Sequence, residues 1–152
     1  MEDASKRGFK PVNLGLNVSL SIENTFKRSI SNNVLAVYPG TDRKDEYIIY
    51  TAHWDHLGIG EPVDGDSIYN GAIDNATGTA ALLEIAEAFT KQEVKPKRSI
   101  LFLAVTAEEQ GLLGSEYYAT NPVYPLDKTV AVLNMDALSN YGPTKDVVVI
   151  GH

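Results

Sequence analysis

The chain has 152 residues, 13 Lys and Arg against 20 Asp and Glu, a formal net charge of −7, and no cysteine. With 43% hydrophobic and 22% charged residues, it has the composition of one globular domain over 1–152, which excludes a collagen-like or disordered chain. The acid excess, with no basic run of five, leaves nucleic-acid phosphates no electrostatic footprint. The lack of thiols excludes disulfides, thiolate catalysis and cysteine-based zinc modules, so any metal must be held by nitrogen and oxygen.

No apolar run approaches the roughly 20 residues that cross a bilayer. The opening residues, Met1-Glu2-Asp3-Ala4-Ser5-Lys6-Arg7, lack the apolar centre of a secretory signal. The first expected element is a half-buried strand, where Val18, Leu20 and Ile22 alternate with Ser19, Ser21 and Glu23. A second alternation over 34–38 closes on the turn dipeptide Pro39-Gly40 and a charged loop, 41–46. Both read as antiparallel edge strands.

Three later runs, 47–52, 100–105 and 130–133, are almost continuously apolar, as in strands buried on both faces. Between the first two, Leu82, Leu83, Ile85, Ala86 and Phe89 recur at helical spacing over 75–91, with Asn75 or Thr77 as candidate N-cap. A shorter helix is expected over 112–120, stopped by Asn121-Pro122, and one more strand over 147–150. Strands alternating with helices predict a three-layer α/β/α domain with a mixed, partly parallel sheet.

Each apolar run ends in residues that can bind metal: His53-Trp54-Asp55-His56, then Thr106-Ala107-Glu108-Glu109, then Asn134-Met135-Asp136. Sites in open α/β sheets collect at the carboxyl ends of strands, and Asp74 adds a carboxylate at the start of the long helix. Singly, each has a plain structural role. His53 suits a satisfied rim histidine, Asp55 a turn, Asp74 a helix cap, and Glu108 and Glu109 the first turn of the next helix. Together they crowd one rim with carboxylates, whose repulsion a divalent cation relieves; one imidazole with several carboxylate oxygens suits Zn, Mn or Co. In that reading His53 ligates, and Asp55, two residues on, accepts a hydrogen bond from the other imidazole nitrogen. Of the adjacent pair Glu108 and Glu109, one binds metal while its neighbour acts as a base.

Four blocks carry a resemblance: Thr51-Ala52-His53-Trp54-Asp55-His56-Leu57-Gly58; Asn70-Gly71-Ala72-Ile73-Asp74-Asn75-Ala76-Thr77-Gly78; Ala107-Glu108-Glu109-Gln110-Gly111-Leu112-Leu113-Gly114-Ser115; and Asn134-Met135-Asp136. In this order they resemble the di-zinc aminopeptidase family (metallopeptidase family 28), over about 33–150. The resemblance implies the zinc-dependent exopeptidase fold and hydrolysis of the N-terminal residue of peptides by water activated between two zinc ions. It implies that Asp74 bridges the two ions, that His53 and Asp136 complete one site, and that Glu109 belongs to the other. Glu108 is then the general base, Asp55 the partner of His53, and the Asp74-Asn75 peptide bond cis.

The resemblance also implies a histidine for the second zinc beyond Asp136. His152 follows 147–150 too closely to fill that place, and His56 reads as a rim residue near the substrate. The chain is therefore expected to be a catalytic core truncated after 152, and before residue 1 as well. Alone it should hold at most one zinc firmly, be weakly active or inactive, and self-associate through an exposed edge or face. Secretion or a periplasmic place is implied by the resemblance alone. The rival readings are a carboxypeptidase or glutaminyl cyclase of the same fold, or a non-catalytic binding domain on this scaffold. A carboxypeptidase needs a basic group for the substrate's terminal carboxylate, and the four blocks hold no Lys or Arg.

Overall fold

The computed structural model describes residues 5–138 and 142. Six strands and two helices follow in chain order: β1 (Val34–Tyr38), β2 (Arg43–His53), β3 (Gly58–Val63), β4 (Asp66–Tyr69), α1 (Thr77–Lys91), β5 (Arg98–Val105), α2 (Leu113–Thr120) and β6 (Thr129–Asn134). The main sheet runs β1-β5-β2-β6. β1 is antiparallel to β5, while β2 lies parallel to both β5 and β6, so the sheet is mixed as expected.

Side chains alternate across a strand, and β5 uses the alternation to build two cores. Ile100 and Phe102 face α1 with Ala52 and Leu82, extended by Tyr38, Ile48, Tyr50, Ile85 and Phe89. Leu101, Leu103 and Val105 face the other way with Ile49 and Tyr118 of α2. The two helices therefore lie on opposite faces of one sheet, which is the three-layer arrangement. Leu101 is fully enclosed, and burying such a side chain contributes roughly 1.5–3 kcal/mol. On the α1 side four rings, Tyr38, Tyr50, Phe89 and Phe102, lie 6.0–6.2 Å apart.

Two expectations are corrected, and one element has no counterpart among them. The alternating residues Val18, Leu20 and Ile22 form no strand, and they are 91%, 78% and 67% exposed. Alternation specifies a strand only where a neighbouring edge and a covering layer exist, and among the described residues no ladder takes this segment up. The run 130–133 does form β6, but it is the outer strand of the described sheet rather than one buried on both faces. Val130, Val132 and Leu133 remain exposed. The hairpin β3–β4 went unexpected, although its turn dipeptide Asp64-Gly65, with φ of 52° and 88°, is a strong local hairpin signal. The strand expected at 147–150 lies outside the described residues. Among the described residues no helix is long and apolar enough to cross a membrane.

Candidate metal centre

The parallel strands β2, β5 and β6 deliver their carboxyl ends to one rim. His53 is the last residue of β2, and the ladder runs on beyond the strands: Trp54 N–H donates to Val105 O at 3.0 Å, and Met135 N–H to Thr51 O at 2.9 Å. These bonds fix the exits that carry Asp55, Glu108 and Asp136. Asp74 reaches the same rim from a single wide turn at Ala72–Ala76, where Asp74 (φ −110°, ψ 96°) and Asn75 (φ −136°, ψ 41°) leave helical geometry before α1 begins. The Asp74-Asn75 peptide bond is cis, as the resemblance implied.

His53 is buried, and its Nε2 faces three carboxylates: Asp74 Oδ1 at 2.9 Å, Asp136 Oδ1 at 3.3 Å and Glu108 Oε2 at 4.0 Å. Its Nδ1 lies 3.0 Å from the backbone oxygen of Asp55. An Nδ1–H donated to that carbonyl leaves the Nε2 lone pair for a metal. Asp55 therefore stays beside the ring as expected, with its backbone oxygen the nearer group. The Asp55 carboxylate is 3.8 Å from Nδ1 and instead accepts the Glu108 N–H at 3.2 Å. Because the chain turns directly after β2, the Asp55 carbonyl reaches the ring, and its carboxylate is free to hold the Glu108 loop.

Burial pushes the His53 pKa down, but the Asp55 carbonyl and the Asp136 and Glu108 carboxylates outweigh it and hold the group above the ordinary value of 6.5. Glu108 is also raised, above 4.5. Burial is the main cause, opposed by His53 and reinforced by Asp136, Glu109 and Asp74. A carboxyl group raised in this way takes up a proton more readily than an ordinary glutamate, as a general base must.

Glu108 and Glu109 lie in the loop between β5 and α2, not in a helix, since α2 starts only at Leu113. Asn33 pins this loop at both ends: its Oδ1 accepts Thr106 N–H at 3.1 Å and its Nδ2 donates to Gly114 O at 2.7 Å. Asn75 does the same for the opposite wall. Its Oδ1 accepts Gly78 N–H at 3.0 Å, which caps α1, and Ala137 N–H at 3.3 Å, while its Nδ2 donates to Met135 O at 3.0 Å. The other candidate cap, Thr77, donates to Ile73 O at 2.6 Å. The sequence marks Asn75 as a cap; its grip on the Asp136 loop depends on a residue 60 positions away and has no local signature.

The candidate residues gather in two groups that share one member. His53, Asp74 and Asp136 form the first; His56, Asp74 and Glu109 form the second, each with its ligand atoms within 4.8 Å of one another. His56 thus stands beside Glu109, its Nδ1 2.6 Å from Glu109 Oε1, rather than out on the rim. Asp74 Oδ1, Glu109 Oε1 and His56 Nδ1 are buried atoms that make no hydrogen bond. Their near neighbours are one another's groups: His53 Nε2 lies at Asp74 Oδ1, and His56 Nδ1 at Glu109 Oε1. Nitrogen and carboxylate oxygen atoms converging in this way fit a borderline divalent cation such as zinc.

A mixed sheet with helices on both faces carries two histidine–carboxylate groups at its strand ends, an α/β domain with a candidate metal centre. The chain belongs to peptidase family M28, whose sequence pattern matches residues 33–152. It is 35% identical over 137 residues to the mouse (Mus musculus) protein named aminopeptidase NAALADL1, covering 85% of this chain and 17% of that protein. It is also 35% identical over 107 residues to a probable zinc metalloprotease of Pyrenophora teres f. teres, covering 70% of this chain and 22% of that protein. Among solved structures it is similar to a zinc aminopeptidase from Bacillus subtilis, BSAP, with TM-score 0.55 and 30% identity over 69% of this chain and 24% of that one. A peptidase M28 precursor from Shewanella amazonensis gives TM-score 0.56 and 32% identity over 68% and 22%. The chain spans about a fifth of the length of these relatives.

Proposed function

We propose that this chain carries the catalytic centre of a zinc-dependent aminopeptidase, which removes the N-terminal residue from peptides. The observation that carries the reading is the sharing of Asp74 between two histidine–carboxylate groups, with Glu108 beside them but in neither. His53, Asp74 and Asp136 would hold one zinc, and Asp74 with Glu109 would belong to a second. When bound, zinc lowers the pKa of water and polarises the scissile carbonyl.

The remaining work falls to the chain itself. Glu108 takes a proton from the attacking water and passes it to the leaving amine, the use for which its raised pKa suits it. The Asp55 carboxylate steadies Glu108 through its backbone N–H, and the Asp55 carbonyl fixes the His53 ring. A cavity of about 220 Å³ lined by His53, Glu108, Leu112, Ser115 and Asp136 receives the scissile bond. A larger one, about 430 Å³, lies against α2 and is lined by none of these acids.

The carboxylate-rich mouth favours a free, protonated α-amino group over a terminal carboxylate. Among the described residues, the ion pairs that reach Asp74, Glu108, Glu109 and Asp136 come from His53 and His56, not from a Lys or Arg fork that would bind a C-terminus. The test is therefore selectivity: with zinc added, an aminoacyl-p-nitroanilide should be cleaved and its N-acetyl form left intact. Equal cleavage of both, or release of C-terminal residues from a peptide, contradicts the aminopeptidase reading.

A further inference from the structure

The hairpin β3–β4 grows out of the metal centre. Leu57 and Gly58 follow His56 directly, and the hairpin returns through Asn70 to Gly71, where a Cβ would stand 2.8 Å from the His56 Cβ. Its base is thus closed against a residue of the second donor group. From there β3 runs 6 residues toward the Asp64-Gly65 turn, about 15–20 Å at the rise of a strand, or the length of roughly five extended peptide residues.

This sheet has only its own two strands among the described residues, and such a hairpin is barely stable in water unless an apolar face is covered. The ladder sets Ile59 opposite Ile68 and Val63 opposite Asp66. Asp66 and Ile68, two residues apart on β4, point to the same side, so all four side chains share one face. Ile59, Val63 and Ile68 are 80%, 61% and 57% exposed, whereas Ser67 and Tyr69, on the other face, are half-buried. There the Tyr69 ring lies across Gly60, 2.9 Å from where a Cβ would stand, and its hydroxyl donates to Glu61 O at 3.1 Å. One face is closed by this ring. The other is open, with a depression of about 160 Å³ bordered by Val63, Asp66, Ile68 and Tyr69.

Charge decides what fits the open face. The hairpin carries Glu61, Asp64 and Asp66 and no Lys, Arg or His. Between Asn33 and Leu138 the chain has seven Lys and Arg, and all lie at the end of the domain opposite the metal centre: Arg43 and Lys44 open β2, Lys91 closes α1, Lys95, Lys97 and Arg98 lead into β5, and Lys128 precedes β6. A second copy of a chain with net charge −7 would be repelled from such a surface. A Lys or Arg side chain suits it, because the hydrocarbon stem packs on apolar residues while the head stays among carboxylates. We infer that the open face of β3–β4 receives the substrate residues that follow the scissile bond, and that the peptides it favours carry Lys or Arg there. The inference rests on the aminopeptidase reading and gives it a substrate class.

The test uses three peptides, Leu-Lys-Lys-Ala, Leu-Ala-Ala-Ala and Leu-Glu-Glu-Ala, labelled with a fluorophore at the C-terminus. Their binding to the chelated chain is read by fluorescence anisotropy, and their cleavage with zinc by release of leucine. The lysine peptide should bind about tenfold more tightly than the alanine peptide, and the glutamate peptide more weakly than either. The preference should shrink in about 0.5 M salt, where charges beyond a few ångström are screened. The triple variant Glu61→Gln, Asp64→Asn, Asp66→Asn removes the charge and keeps the shape: Asn-Gly suits the same turn as Asp-Gly, and an amide at 66 keeps an oxygen for the Ile68 N–H. It should bind the three peptides alike, and its kcat/KM ratio of lysine to alanine peptide should fall from about ten to about one. Far-ultraviolet circular dichroism reports folding; if the triple variant does not fold, Glu61→Gln and Asp64→Asn singly decide. Equal binding of the three peptides by the wild type, or a lysine preference that the charge-removed chain keeps, overturns the inference. So does a dimer, seen in sedimentation velocity, that Ile59→Ser with Ile68→Ser abolishes, since the face then belongs to a second copy. A wild type that prefers the lysine peptide yet fails to cleave leucine p-nitroanilide with zinc overturns the aminopeptidase reading alone and leaves the hairpin its ligand.

Discussion

Replacing Asn75 with alanine should cost this domain about 3 kcal/mol, and the loss should be felt at the metal as well as in the fold. The side chain is 2% exposed and makes three hydrogen bonds: to Met135 O, from Gly78 N–H and from Ala137 N–H. A typical intramolecular hydrogen bond contributes about 0.5–1.5 kcal/mol net, so three give roughly 1.5–4.5 kcal/mol. Alanine leaves a carbonyl and two N–H groups without partners, which favours the upper half of that range. Against a total stability of about 5–15 kcal/mol for a domain of this kind, the loss is large. Urea unfolding of the chelated protein, followed by far-ultraviolet circular dichroism, gives the difference. Asn75 also ties the turn of Asp74 to the loop of Asp136, so zinc affinity should fall in the same variant while Glu108 and Glu109, on the opposite wall, keep their places. A destabilisation under about 1 kcal/mol with unchanged zinc affinity would show that Asn75 does not brace the two loops.

Glu108→Gln should lower kcat by about 10²–10⁴ with zinc content unchanged, since Glu108 lies in neither donor group; a drop below tenfold, or a lost equivalent of zinc, contradicts the assignment of the base. The metal-free chain should lose stability as pH rises. His53 and Glu108 both titrate above their ordinary values of 6.5 and 4.5 in the folded state, so folding binds their protons more tightly. The Glu108 contribution starts to fall above pH 4.5 and that of His53 above pH 6.5, each through its own raised value. Thermal unfolding in excess chelator between pH 4 and 9 checks this, and saturating zinc, which competes with the same protons, should widen the stability gap toward high pH. A flat or rising profile without metal would contradict the raised values.

The features that the sequence displays openly are those whose cause is local. The three apolar runs become β2, β5 and β6, because side-chain alternation and burial are written residue by residue. His53, Glu108, Glu109 and Asp136 follow directly from where those runs stop, and Asp74 from where α1 starts. What was misread depends on partners distant in the chain. The alternation at Val18, Leu20 and Ile22 is as regular as that of β1, but β1 finds the edge of β5, with Val34 opposite Ala104, and the earlier segment finds no edge. β6 has the composition of an inner strand and the position of an outer one. Asp55 keeps its expected place beside His53, with the turn after β2 making its carbonyl the nearer group. His56 could not be placed beside Glu109 from spacing alone, since the packing of Gly71 over its ring comes from a loop 15 residues away. The hairpin β3–β4, by contrast, has a local signal in its Asp64-Gly65 turn.

The most direct test of the central claim, that these acids and histidines are a metal centre, is zinc retained after dialysis by Asp74→Asn beside Asp136→Asn. Asp74 is the one residue common to both donor groups. Its variant should therefore bind neither ion firmly, while Asp136→Asn should lose only the ion shared with His53. An Asp74→Asn protein that is folded and holds as much zinc as the wild type would contradict the account.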